Sequence, residues 1–223
     1  MNRTSNINML ILFTALLFTV FTSCDSKKTP EKDIKNQNAP EFRSGPKSVL
    51  ILSSSPRRGG NSEILCEQFK KGAEEADHYV EMLNLNDYDI RFFAKNEYVR
   101  EKESEEEIDD AIRIINKMAA ADVIVLSSPV YFYSMTGQMK TLIDRVFNYE
   151  GDLKNKEFYY IITATDNDEK ALDGTIQGFR GFIHCLYNAS ERGIIKGHGA
   201  QGRGSILEKP AVLQEAYEMG KSI

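Results

Sequence analysis

The sequence predicts an α/β fold, a single parallel sheet with helices on both faces. Three observations carry this. From Lys47 onward, short apolar runs alternate with stretches of helical periodicity. Most of those runs are rich in Val, Ile, Leu and Tyr and nearly continuous in apolar character, as strands are when helices cover both sheet faces. The part of the chain after residue 46, about 175 residues, suits one three-layer domain of five strands joined by right-handed crossovers.

The elements follow in order. SVLIL (48–52) is the first strand. After SSSPRRGGNS (53–62), Asn61 or Ser62 can cap a helix on which Leu65, Phe69 and Ala73 share one face. YVEMLNL (79–85) is the second strand. Ile108, Ala111, Ile112, Ile115, Met118 and Ala119 then form a helical stripe, preceded by the acidic run EKESEEEIDD, which favours the positive end of the helix dipole. DVIVL (122–126) is the third strand, and Met139, Leu142, Ile143 and Val146 repeat the helical spacing. FYYIIT (158–163) and GIIK (193–196) complete the sheet, and a last helix begins at Pro210, a residue suited to the first helical position. No internal repeat is visible, and nothing suggests a second globular domain.

The first 46 residues stand apart. Arg3 is the sole charge in positions 1–23, and Met9 to Phe21 is nearly continuously apolar. That run is shorter than the roughly 18 residues a membrane span needs. With its charged start and small-residue exit it reads as a secretory signal. The exit, FTSC, resembles the lipobox of bacterial lipoproteins, whose cysteine is lipidated and becomes the mature N-terminus. The resemblance implies a signal peptide over 1–23, a lipid on Cys24, and a domain over 47–223 held at a membrane of the bacterial cell envelope, facing out of the cytoplasm. Phe21 stands where lipoboxes more often have leucine, and a plain signal peptide or a buried N-terminal helix are the alternatives. Residues 24–46 are polar and without apolar periodicity, as in a flexible tether.

The formal charge of −5 becomes one unit more negative when Arg3 leaves with the signal segment. No basic cluster survives outside the tether, which argues against a nucleic-acid surface. Three cysteines make no disulfide framework. Cys66 and Cys185 lie among apolar neighbours in predicted helices and read as packing residues. There is no CxxC and no spaced His/Cys set, so no metal site is expected; His78, His184 and His198 are scattered.

Two loops carry the chemistry. In open parallel sheets, ligands bind beyond the carboxyl ends of the strands, near the point where strand order reverses. SSSPRRGGNS lies at such an end. Its glycines let the backbone bend, Ser54, Ser55, Asn61 and Ser62 offer donors, and Arg57 adds a charged fork beside the free N–H groups of a helix start. This is a phosphate cradle, with an exposed basic turn as the bland alternative. It is no Walker loop, which needs GxxxxGK[ST]. GHGAQG (197–202) matches GxGxxG but follows the last strand without a further βαβ unit, so it is read as a loop that could line the same pocket. The second loop, SSPVYFYSMTGQMKTLIDR (127–145), leaves a strand end with three consecutive aromatics, Tyr131 to Tyr133. Alone they would read as core. Beside a phosphate cradle they suit a planar ring system with a phosphate tail.

Together these loops resemble the flavin-binding loops of the NAD(P)H-dependent FMN reductase family, nearest its iron–sulfur flavoprotein-like branch, over about residues 47–221. The resemblance implies a flavodoxin-like fold with strand order 2-1-3-4-5 and FMN as cofactor. It implies that Ser54, Ser55, Arg57, Asn61 and Ser62 bind the phosphate. Pro129, Val130, Tyr131 and Phe132 would line the isoalloxazine and ribityl, with Ser134 and Gly137 close by. That branch often carries a cysteine cluster after the second strand; here YDIRFFAKNEYVREKE (88–103) has none, so no Fe–S cluster is expected.

The expected activity is an oxidoreductase passing electrons from NAD(P)H, or from a membrane or protein donor, to a quinone, flavin or similar small acceptor. Homodimers are common in the family. No side chain stands out as an acid or base, and Tyr131 and Tyr133 are candidates only for orienting substrate. NAD(P)H is a cytoplasmic reductant whereas the leader points outward, so two rivals stay open: a flavodoxin-like electron carrier, and a flavin-free binding module on the same scaffold.

Overall fold

A computed structural model describes residues 45–94 and 109–223. The signal segment, Cys24, nearly all of the tether, and the end of the cysteine-free stretch from residue 95 lie outside the described residues.

Five strands form one fully parallel sheet in the order β2-β1-β3-β4-β5. They are β1 (Ser48–Ser53), β2 (Tyr79–Asn84), β3 (Val123–Pro129), β4 (Glu157–Thr163) and β5 (Ser190–Gly197). The helices are α1 (Asn61–Glu75), α2 (Asp110–Ala120), α3 (Gly137–Arg145), α4 (Asp173–His184) and α5 (Pro210–Lys221). The predicted three-layer, flavodoxin-like architecture and its strand order are those observed.

Side chains alternate across each strand, so the continuous apolar runs feed two separate cores. Leu50, Leu52, Ile124, Leu126, Phe158, Tyr160 and Ile162 face α2, α3 and α4. Val49, Ile51, Val123, Val125, Tyr159 and Ile161 face α1 and α5. Those last two helices cross at glycines: a Cβ on Gly72 would lie 2.0 Å from the Tyr217 carbonyl oxygen, and one on Gly220 would lie 2.0 Å from that of Phe69.

Several boundaries move. β3 runs on through Ser127 and Ser128, both fully buried, because their backbones pair with Ile161 and Ile162 of β4. β5 begins at Ser190 rather than Gly193. Its polar edge residues are satisfied laterally, Glu191 by Arg180 of α4 and Arg192 by the buried Glu157, which also receives Lys47. On α2 the fully buried face is Ala111, Ile114, Ile115 and Met118; Ile112 packs half-buried against the same core, and Ile114 joins the stripe. The helix is capped by Asp109, whose carboxylate accepts from the Ala111 N–H and pairs with the buried Arg145. Cys66 is buried in α1 as expected, and burial pushes its thiol up to about 12. Cys185 is not a packing residue: it follows the last turn of α4 and is exposed. Among the described residues no helix is long and apolar enough to cross a membrane.

Candidate functional site

The carboxyl edge of the sheet gathers four loops, those after β1, β3, β4 and β5. Strand order reverses between β1 and β3, and that is where the first two loops diverge and leave a crevice.

The loop after β1 turns into α1 through Gly59, at φ +61°, and Gly60. Gly60, not Asn61 or Ser62, is the N-cap, and no side chain caps the helix. The first-turn N–H groups of α1 therefore have no side-chain cap, and Gly60, Asn61 and Ser62 of that start line a small cavity. A Cβ on Gly60 would sit 2.7 Å from the Arg57 carbonyl oxygen and 3.3 Å from Ser55 Oγ, so the bend admits no side chain. Ser55, Arg57, Asn61, Ser62, Pro129, Val130 and Tyr131 all line this small cavity, of about 50 Å³. Seven of the residues singled out from sequence thus meet in one place.

Within it the roles differ. Ser62 Oγ shares a hydrogen bond of 2.7 Å with Thr163 Oγ1, tying α1 to the end of β4. Ser54 is fully buried and donates to the Ser127 carbonyl oxygen at 2.9 Å, which locks β1 to β3 behind the cavity rather than lining it. The Asn61 amide donates to the carbonyl oxygens of Ala200 (3.1 Å) and Gly202 (2.9 Å) and accepts from the Ile206 N–H (3.1 Å).

Beyond the cradle the loop after β3 forms a two-residue hairpin. Tyr131 and Ser134 exchange backbone hydrogen bonds of 2.9 and 3.0 Å, and Phe132 and Tyr133 at the tip have φ of +50° and +60°. These are the dihedral signs of a type I′ turn, which ordinarily takes Asn and Gly. Phe132 is fully exposed, and the Tyr133 carbonyl lies against Gly174 at the start of α4, where a Cβ would be 2.0 Å away. Ser134 is thus a turn-closing residue. Gly137 starts α3 and lines neither cavity; Thr136 caps that helix by accepting from the Met139 N–H.

A second cavity, of about 540 Å³, continues from the first and shares Val130, Ala164 and Thr165 with it. Phe132 and Tyr133 form one wall; Asp166, Asn167, Ala171 and Gln201 line the rest. Its size lies within the range of about 300–1,000 Å³ usual for small-molecule and cofactor sites. The segment after β4, Ala164 to Asn167, escaped the sequence reading. ATDND follows a strand at the same edge, which was the available signal. Arg203, one residue beyond GHGAQG, was also missed.

An uncapped helix start beside arginines, opening into a ring-sized cavity with an aromatic wall, is the arrangement of a phosphate-tailed flavin site on a flavodoxin-like fold, and the residues present fit FMN. A profile of NADPH-dependent FMN reductases matches residues 48–187. The chain is 34% identical to an iron–sulfur flavoprotein of Methanocaldococcus jannaschii over 183 residues, 78% of this chain and 94% of that protein. It spans little more than half of two other curated relatives. One is an iron–sulfur flavoprotein of Archaeoglobus fulgidus, 30% identical over 52% of this chain and 58% of that protein. The other is an FMN-dependent NADH:quinone oxidoreductase of Leptothrix cholodnii, 31% identical over 48% of this chain and 59% of that protein. The fold is shared with an azoreductase of Bacillus anthracis: TM-score 0.64, 18% identity, covering 79% of this chain and 100% of that one. The chain belongs to the NADPH-dependent FMN reductase family. It is an FMN-dependent oxidoreductase.

Proposed function

We propose that the protein takes reducing equivalents from NAD(P)H and passes them to a small planar acceptor of the quinone class, both bound in turn in the 540 Å³ cavity. The observation that carries this is the continuity of the two cavities through Val130, Ala164 and Thr165. FMN, when bound, supplies two-electron uptake and release. The chain's own residues do the rest. Ser55, Arg57 and the start of α1 hold the phosphate end, and Val130 to Tyr133 give an apolar wall. Asp166, Asn167 and Gln201 offer polar groups that orient a substrate. The quinone relative supports the acceptor class. Three relatives are named for an iron–sulfur centre, but this chain has no cysteine between Cys66 and Cys185, so we infer flavin chemistry without a cluster.

We further propose, on the FTSC sequence, that Cys24 is lipidated and that the domain works at the face of a bacterial membrane. There the donor could equally be a membrane component. Anaerobic mixing of the FMN-loaded protein with NADH or NADPH, then with a quinone, tests the reading. The expected outcome is rapid bleaching of the flavin band and its return on adding quinone. A flavin that stays oxidised with both nucleotides yet is reduced by a low-potential protein donor would make the chain an electron carrier.

A further inference from the structure

Three arginines surround the phosphate cradle, and they are not equivalent. Arg58 turns away: its guanidinium pairs with Asp87 and Glu63. Arg57 and Arg203 both line the small cavity, and neither guanidinium has an acidic partner among the described residues. Arg203 comes from the far side, on the loop after β5, and lies over Gly59; a Cβ on Gly59 would be 3.2 Å from its terminal nitrogen. Both guanidinia are exposed, and together with the uncapped helix start they offer a site for an anion between them.

We propose that Arg203 is a second cation for the cofactor phosphate, and that Asn61 is the residue that positions it rather than a phosphate ligand. An amide side chain has two N–H donors. Both of Asn61's are committed, to Ala200 and Gly202, and its oxygen is taken by the Ile206 N–H, so no donor is left for a phosphate. Those contacts fasten residues 200–206 onto the first turn of α1. The loop is also braced internally, Ser205 Oγ donating to the Gly202 carbonyl oxygen at 2.9 Å and accepting from the Gly202 N–H at 3.2 Å. The last loop is therefore held where Arg203 overhangs the cradle. Riboflavin, with the same ring and no phosphate, gains nothing from this arrangement.

The proposal rests on the FMN assignment, and the test separates the two. The full chain is freed of flavin, and dissociation constants for FMN and for riboflavin are measured by quenching of flavin fluorescence. Arg203→Ala is expected to weaken FMN about tenfold or more, the loss of a hydrogen bond to a charged group, and to leave riboflavin unchanged. Arg203→Lys keeps the charge and should recover part of the loss. Asn61→Ala should show the same phosphate-selective loss. The double variant should be no weaker than the worse single one, because both act through one guanidinium. The unchanged riboflavin constant checks that each variant is folded. Arg203→Ala with unaltered FMN affinity, or with both flavins weakened alike, overturns the proposal. Additive losses in the double variant overturn the role of Asn61. A wild type that binds FMN and riboflavin equally sinks the phosphate clamp but not flavin binding; one that binds neither sinks both.

Discussion

Phe132 and Tyr133 sit in left-handed backbone conformations that cost bulky residues about 1–3 kcal/mol each. Such a turn persists because its surroundings hold it: the Tyr131–Ser134 hydrogen bonds close it and Gly174 lets the Tyr133 carbonyl approach α4. The strain places an exposed aromatic at the mouth of the larger cavity, where a planar substrate would stack. Phe132→Gly should relieve it. After the entropy cost of a glycine, about 0.5–1 kcal/mol, a net gain of about 1 kcal/mol remains. For a domain of this size that is about 2–4 °C in Tm, read by calorimetry. The same variant should show a higher KM for a quinone acceptor. A lower Tm with unchanged KM would mean that the tip is neither strained nor used.

Helices transmit small changes to the cradle because they pack without slack. α1, whose start lines the small cavity, touches α5 through Gly72 and Gly220. A methyl group on Gly220 would collide with main chain that has no freedom to turn aside. Gly220→Ala should cost about 1–3 kcal/mol in urea unfolding, the usual penalty of overpacking. It should also weaken FMN by displacing the first turn of α1. At the opposite edge, Arg180 of α4 grips Glu191 of β5 through two hydrogen bonds of 2.8 Å. Those bonds, more than the residual burial that opposes them, hold the Glu191 carboxyl below its usual range. A carboxyl lowered on folding stabilises the protein fully above its unfolded pKa, about 4.3 for glutamate, and loses that contribution as pH falls through the folded value. Glu191→Gln should therefore lower stability modestly in the neutral region and converge with wild type at acid pH, so that the acid limb of its stability–pH curve is flatter. The check is urea unfolding repeated from pH 7 down to pH 3. An acid limb identical to wild type would show that the pair is solvent-screened to nothing.

At the scale of the whole molecule, the issue is where an acidic flavin domain works. If FTSC directs lipidation, wild-type protein should partition with membranes and carry acyl chains on Cys24, detectable by mass spectrometry of the N-terminal peptide. Cys24→Ala should then accumulate as an unprocessed precursor. One chain binds bilayers only marginally, so firm attachment would need more than one. A wild-type protein that is soluble and free of acyl groups would end the anchoring proposal, and the flavin site would stand unaffected.

The sequence alone determined the layer architecture, since runs such as SVLIL and FYYIIT can be satisfied only between two helical layers, and their alternation with helical stripes implies parallel strands. It also singled out the candidate site, because ligand loops follow strand ends and SSSPRRGGNS and SPVYFYS are strand-end loops of the right chemistry. What it left open depends on partners distant in the chain. Asn61 reads as a donor to an anion until Ala200, Gly202 and Ile206, some 140 residues away, are seen to use its whole amide. Ser54 looks like Ser55 in sequence, yet one faces β3 and the other the cavity, because successive residues leaving a strand point to opposite sides. Arg203 and the Thr165–Asn167 segment belong to no local pattern. The strand order alone carries the ends of β4 and β5 to the edge that β1 and β3 already shared, and a loop's neighbours in space are set by the tertiary structure.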